Sequence, residues 1–363
     1  MKAPRPDKRK PSMTNKLRVG ILGATGMVGQ RFIQLLENHP QFQITALAAS
    51  DRSQGKTFSE ACTWRLPGEM PSFVKSMPVH APNPPLDCEL VFSSLPGEIA
   101  RESEQSFVNA GFPVISNSSA FRMDANVPLL IPEVNPEHLS LLELQQKESN
   151  GKRGYIVTNP NCSTIMLALA LAPLHARFGV QNVVATTLQA LSGAGYPGVA
   201  SLAISDNVLP FIEGEEQKIE QETLKILGSV DGETIRHAAI SVSAQCTRVN
   251  VSDGHMAAVR VKLIEPATKD EVIDALASFT ALPQKLNLHS APPQPIIVRN
   301  ESDRPQPRLD RDAGKGMSIT IGRVDHDHVM DYRFFSLSHN TVRGAAGAAI
   351  LNAELLLAMG KIR

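Results

Sequence analysis

Residues 17–50 read LRVGILGATGMVGQRFIQLLENHPQFQITALAAS. The apolar run Leu17 to Leu22 predicts a strand. Gly23, Gly26 and Gly29 follow as G-x-x-G-x-x-G. From Met27 the apolar residues Val28, Phe32, Leu35 and Leu36 fall at helical spacing. Asn38 and Pro40 stop that helix, and Phe42 to Ser50 predicts a second strand. Strand, glycine turn, helix and strand together form a βαβ unit. Tight turning and close approach to a pyrophosphate need residues without Cβ, and the helix start offers unpaired N–H groups and the positive dipole end. The unit therefore predicts a dinucleotide site at Gly23, Thr25, Gly26, Met27, Val28 and Gly29.

An NAD site would place Asp or Glu at the end of the second strand. Here the sequence is AASDRS, so Ser50, Arg52 and Ser53 can hold a 2′-phosphate. Asp51 lies among them, and the preference for NADP is a lean. Further along, Asp51 to Pro85 reads as irregular and proline-rich. Glu89–Pro96 is a third strand, GEIARESEQSFVNAGF a helix closed by Gly111, and Pro113–Ser119 a fourth strand. This alternation predicts an α/β, doubly wound parallel sheet. After Gly154–Pro160 the pattern changes. Cys162 to Phe178 reads as a helix, followed by VQNVVATTLQAL, AAISVSAQCTRVNVSD and HMAAVRVKLIE. Hairpin-like strands with few helices predict an α+β second domain whose sheet is mainly antiparallel. The alanine-rich NTVRGAAGAAILNAELLLAMG closes the chain as a helix.

At 363 residues, two domains are expected. The 36 basic and 36 acidic residues balance, which argues against nucleic acid and anionic membranes as partners. No apolar run reaches membrane-spanning length. The opening MKAPRPDKRKPSMTNK is basic and lacks the apolar stretch of an export signal, so residues 1–15 read as a flexible tail and the cytoplasm as the location. Met13 is a second candidate start. Cys62, Cys88, Cys162 and Cys246 form no CxxC pair, which argues against a metal site or disulfide framework.

Cys162 differs from the other cysteines by position. Asn159-Pro160-Asn161 cannot easily continue a helix, so one should start near Cys162. A thiol in a first helical turn has its pKa lowered by the dipole. The backbone N–H groups there, with the Asn161 amide, could receive an oxyanion. These residues leave a nucleophile and an inert thiol equally open. Among ten histidines, nothing local selects His255, in VNVSDGHMAAVRV, over His237 or His339.

The motifs GATGMVGQRF, LAAS, SSLP, SNSSAFRMD, IPEVNP, TNPNCSTI, QALSGAGYPG, GEEQK, TRVNVSDGH and SHNTVRGAAG occur in that order. Together they resemble the aspartate-semialdehyde dehydrogenase family, in its archaeal and fungal branch, over nearly the whole chain after the tail. The resemblance implies a glyceraldehyde-phosphate-dehydrogenase-like fold. A Rossmann domain over 16–160 plus 340–363 would bind NADP, and 161–339 would form a catalytic and dimerisation domain. It implies Cys162 as nucleophile, Gln189 as a positioning group for the intermediate, and His255 as general acid/base. Arg248 would fork onto the substrate carboxylate, Arg122 and Lys218 would bind phosphate, and Glu215 would meet the substrate amine. Ser94, Ser192, Gly193 and Asn340 would contact the cofactor. The implied reaction is reductive dephosphorylation of aspartyl phosphate to aspartate semialdehyde and phosphate, through a cysteine thioester. It would serve lysine, threonine, methionine and isoleucine biosynthesis in a homodimer or homotetramer. Acyl reductases acting on malonyl-CoA or N-acetyl-glutamyl phosphate share the plan, but E-x-x-K and R-x6-H favour aspartyl phosphate. A non-catalytic NAD(P)H-sensing regulator would not need these groups together.

Overall fold

The computed structural model describes residues 16–148 and 153–362, so the expected tail over 1–15 lies outside the described residues. The first sheet contains β1 (Leu17–Leu22), β2 (Phe42–Ala48), β3 (Val79–His80), β4 (Leu90–Ser93), β5 (Pro113–Ser116) and β6 (Tyr155–Thr158). Their order is β3-β2-β1-β4-β5-β6, and every pairing is parallel. Helices α1 (Met27–Leu36) and α2 (Gly97–Asn109) are crossovers of this sheet. The order reverses at β1, which lies between β2 and β4. Open α/β sheets bind ligands at such a switch point, outside the carboxyl ends of the strands. The glycine turn sits there. Gly23 has φ +77°, and a Cβ on it would lie 2.8 Å from the Ser94 carbonyl oxygen. A Cβ on Gly29 would lie 2.2 Å from Gly23 O, so α1 starts tight against the turn. The segment expected to be irregular, Asp51 to Pro85, carries short helices at Phe58–Ala61 and Ser72–Lys75 as well as β3. Their apolar residues Phe58 and Val74 are buried in the first core.

Helix α3 (Cys162–Phe178) leads into β7 (Val180–Gln189). After α4 (Glu215–Ile226) come β8 (Ser241–Arg248), β9 (His255–Leu263), α5 (Lys269–Ala277), β10 (Ile296–Arg299), β11 (Ile319–His326) and β12 (Tyr332–Ser338). The second sheet runs β8-β7-β9-β12-β11-β10. Its three inner pairings are antiparallel, while β8 on β7 and β10 on β11 are parallel. The sheet is therefore mixed, and the hairpin expected around His255 does not form. Strand β7 lies between β8 and β9, an arrangement that local turn signals do not encode. The sheet is also more heavily covered by helices than expected, because α4 and α5 pack into its core through Ile219, Ile226, Val272 and Leu276.

Helix α3 is not amphipathic. Ser163 to Leu171 are all buried, and Ile165, Leu167 and Leu169 belong to the second core. A helix apolar on all sides must lie inside the molecule. The last helix, α6 (Gly347–Ala358), returns to the first core through Ala349, Ile350 and Leu355. Leu288 and Met317 also pack in that core. His39 Nε2 lies 2.9 Å from Glu354 Oε1, tying the end of α1 to α6.

One buried ion pair connects distant parts of the chain. Arg343 Nη1 and Nη2 each donate to Glu133 at 2.7 Å, and both side chains are fully buried. Removing one partner strands the other charge. Arg343→Met should lower the unfolding free energy by about 3–5 kcal/mol, with most of that recovered in Glu133→Leu/Arg343→Met. Urea denaturation of both variants checks this, and a single-variant loss below about 1 kcal/mol contradicts it.

Candidate active site

The start of α3 organises the site. Asn161 is its N-cap, with Oδ1 receiving Ser163 N at 2.9 Å and Thr164 N at 3.2 Å. Such a cap contributes about 1 kcal/mol. Cys162 is the first helical residue. A π-helical turn, Val342–Ala346, packs directly on it. A Cβ on Gly344 would lie 2.6 Å from Cys162 Cβ, so one side of Cys162 is closed by backbone. The Asn161 amide, expected to face an oxyanion, donates through Nδ2 to Glu215 Oε1 at 2.8 Å. Gln189 Nε2 donates to the same oxygen at 3.2 Å. Lys218 Nζ is 3.6 Å from Glu215 Oε2 and half-exposed. Glu215 is thus buried at the centre of three candidate residues.

Helix position does not set the state of the thiol. Burial first, then the negative charge of Glu215, push the Cys162 thiol up to about 12, against Arg122, the Ser163 N–H and Arg248. The sequence expectation of a lowered pKa is therefore reversed in this site. The dipole acts, but desolvation of a thiolate outweighs it. Arg248 is buried and donates through Nη1 to Ala190 O at 2.9 Å.

His255, the first residue of β9, is fully buried. Its Nδ1 receives Ala190 N–H at 3.0 Å, so the proton of the neutral ring lies on Nε2. That Nε2 has no hydrogen-bond partner among the described residues. Burial, then the charges of Arg248 and His339, hold the ring down at about 3. A Cβ on Gly193 would lie 3.0 Å from His255 Nε2 and 2.8 Å from Arg248 Nη1. Gly193 therefore brings the 191–194 turn onto both side chains. Ser192 Oγ accepts from Asn340 Nδ2 at 2.8 Å, and Asn340 Oδ1 receives Gly254 N at 2.9 Å. The two expected cofactor contacts are thus joined to each other and to the loop before His255.

Arg122 is buried. Its Nη1 donates to Glu222 Oε1 at 2.9 Å and its Nη2 to Asn117 O at 2.7 Å. Glu222 was not among the expected residues, nor was Lys225. Lys225 Nζ donates to the carbonyls of Arg122, Asp124 and Val127 at 2.7–2.8 Å. Burial, chiefly, holds that ammonium down at about 8. Residues 215, 218, 222 and 225 recur at spacings of three and four, so one face of α4 carries all four. That spacing was readable in GEEQKIEQETLKI.

The cofactor residues fit a dinucleotide. Gly26 caps α1 with no side-chain hydrogen bond, leaving the first-turn N–H groups open, and Met27 and Val28 are only half-buried. Thr25 O instead receives Gln30 Nε2 at 3.0 Å. Ser94 Oγ donates to Leu22 O at 3.0 Å, which supports the turn from behind. Ser50 and Arg52 are exposed just beyond β2, and Ser53 N donates to Ser50 O at 2.8 Å. No group of acidic, histidine or cysteine residues able to hold a metal occurs among the described residues.

Two family models match the chain: "Semialdehyde dehydrogenase, NAD binding domain" over residues 18–142 and "Semialdehyde dehydrogenase, dimerisation domain" over residues 171–343. The chain is 55% identical to an aspartate-semialdehyde dehydrogenase of Archaeoglobus fulgidus, covering 93% of this chain and 97% of that one. It is 47% identical to one of Schizosaccharomyces pombe, covering 94% and 98%. It also superposes on the crystal structure of aspartate semialdehyde dehydrogenase with NADP from Candida albicans. That TM-score is 0.89 at 43% identity, with 95% and 99% of the two chains covered.

The depressed His255 has a thermodynamic consequence. Between about 3 and its ordinary value of 6.5, the unfolded chain binds a proton that the folded chain refuses. Stability therefore falls as pH is lowered through that window. His255→Gln should reduce the slope of unfolding free energy against pH by up to about 1.4 kcal/mol per pH unit, between roughly pH 5 and 6. Chemical denaturation at a series of pH values measures this. An unchanged slope means the ring titrates normally in the folded protein.

Proposed function

The chain belongs to the aspartate-semialdehyde dehydrogenase family, and on that premise we propose how its residues carry the reaction. That reaction is the NADP-dependent reductive dephosphorylation of 4-phospho-L-aspartate to L-aspartate 4-semialdehyde, a step of amino-acid biosynthesis. The observation that carries the assignment of roles is the convergence on Cys162 of a capped helix start and the charges of Arg122 and Arg248, with the partnerless Nε2 of His255 meeting Arg248 at Gly193.

Cys162 Sγ attacks the acyl carbon of the substrate as its thiol proton passes to an oxygen of the substrate's phosphate, and Arg122 and Arg248 favour the thiolate that forms. The bond to the phosphate oxygen breaks, and phosphate leaves with the electron pair beside Arg122 and Lys218. A thioester on Cys162 remains. Gly23–Gly29, Ser192, Gly193 and Asn340 would hold NADPH, which would supply the hydride that reduces this thioester. His255, neutral and carrying its proton on Nε2, donates a hydrogen bond to the oxygen that gains charge, at both the attack and the thiohemiacetal stage. The carbon–sulfur bond then breaks, releasing the aldehyde and returning Cys162 Sγ.

Arg248 presents a planar fork suited to the substrate carboxylate. Glu215 supplies the negative charge that suits the substrate amine. Gln189, held on Glu215 Oε1, orients the intermediate. Ser50, Arg52 and Ser53 lie where the second strand ends and are assigned to the 2′-phosphate of NADP. The unit over 16–160 plus 340–363 would hold the cofactor, and 161–339 the chemistry and dimerisation. The dimerisation-domain match supports a homodimer, or a homotetramer built from two. No described helix is long and apolar enough to cross a membrane, and the four cysteines are unpaired, which supports a cytoplasmic enzyme.

Purified protein should sustain turnover of NADP with aspartate semialdehyde only when phosphate is present. Cys162→Ser should lower that rate by roughly 10³-fold or more while leaving NADPH binding nearly intact. Substantial turnover by the serine variant contradicts covalent catalysis at Cys162.

A further inference from the structure

Glu222 lies on α4, two turns beyond Glu215, and is 2% exposed. Its two carboxylate oxygens are divided between two parts of the site. Oε1 receives Arg122 Nη1 at 2.9 Å, and Oε2 receives the backbone N–H of Asn161 at 2.7 Å. We propose that Glu222 is a positioning residue that sets the phosphate-binding Arg122 in register with the nucleophile Cys162. The proposal rests on the reading of Arg122 as a phosphate ligand.

The geometry supports this in three ways. First, Asn161 immediately precedes Cys162, so one carboxylate fixes both the guanidinium and the entry to the nucleophile's helix. Second, Arg122 is otherwise held only by Nη2 on Asn117 O, and its buried Nε has no hydrogen-bond partner among the described residues. The two protein contacts use one N–H on each terminal nitrogen. Three N–H groups of the guanidinium remain without a partner among the described residues, two of them on the terminal nitrogens. Third, Lys225 holds the carbonyls of Arg122, Asp124 and Val127 from the same face of α4. The loop carrying Arg122 is therefore braced at its backbone by Lys225 and at its side chain by Glu222. A guanidinium held by one carboxylate at a set angle receives a tetrahedral phosphate without reorganising.

Glutamine is nearly isosteric with glutamate but has a single acceptor oxygen. It cannot receive both Arg122 and Asn161, and its NH₂ group faces one of the two donors. Assayed as phosphate-dependent NADP reduction, Glu222→Gln should raise KM for inorganic phosphate by roughly 10–100-fold. KM for NADP and for aspartate semialdehyde should stay within about twofold, while the melting temperature falls because one buried donor loses its acceptor. Glu222→Asp keeps the charge with a shorter reach and should fall between. A purely structural role would lower activity without singling out phosphate, so parent-like kinetics or a fall in kcat with all three KM values unchanged overturns the proposal. Arg122→Lys is measured alongside. If it leaves KM for phosphate unaltered, the reading of Arg122 fails. If it raises that KM while Glu222→Gln does not, only the role of Glu222 fails. Should Glu222→Gln not fold, Glu222→Asp carries the same comparison, and failure of both to fold overturns positioning in favour of a structural role.

Discussion

The Asn161 side chain joins the start of α3, at Cys162, to the buried Glu215 of α4. Its carbonyl oxygen receives the first free N–H groups of α3, and its amide nitrogen donates to Glu215. Its own backbone N–H donates to Glu222. Helix α4, Gln189 and the Arg122 loop are placed relative to that residue. Helix α4 approaches through Glu215 and Glu222, Gln189 at the end of β7 reaches Glu215, and the Arg122 loop reaches Glu222. A buried polar network of this kind is stable only when its members are satisfied together, which ties the first sheet and the second sheet into one site.

The same burial sets the electrostatics. A thiol and an imidazole are both held in their neutral forms, Cys162 pushed up to about 12 and His255 down at about 3. In each case desolvation comes first and neighbouring charge second. Arg122 and Arg248 oppose Glu215 at Cys162, and Arg248 adds to the suppression at His255. Arg122, Arg248 and His255 are buried, and Glu215 and Glu222 bring negative charge to the two arginines. A phosphorylated, anionic substrate meets cations already fixed in place, so little reorganisation remains at the moment of attack.

What the sequence made legible was local. The glycine turn could be read because strand, turn and helix are contiguous and Gly23 and Gly29 are both sterically required. The start of α3 could be read because Pro160 and Asn161 permit little else. The identity of the catalytic set came from motif order, since nothing near His255 distinguishes it. The order of the second sheet was not legible, because β7 enters between β8 and β9 across more than fifty residues. The thiol's state was misread for a related reason. Its dipole is local, whereas the π-helical turn at 342–346 that packs on it and the negative charge of Glu215 come from distant segments. Glu133 and Arg343 are 210 positions apart, and only folding pairs them. Glu222 was an exception of another kind, since its spacing from Glu215 could have marked it.

The central claim is a covalent thioester on Cys162. Mixing enzyme with aspartate semialdehyde and NADP, without phosphate, isolates that step. Hydride passes to NADP, one proton is released, and the acyl group stays on Sγ. The account predicts a burst of about one NADPH per active site, an acyl adduct on the peptide containing Cys162 by mass spectrometry, and its discharge when phosphate is added. Continuous NADPH formation without phosphate, or a burst with Cys162 unmodified, would contradict it.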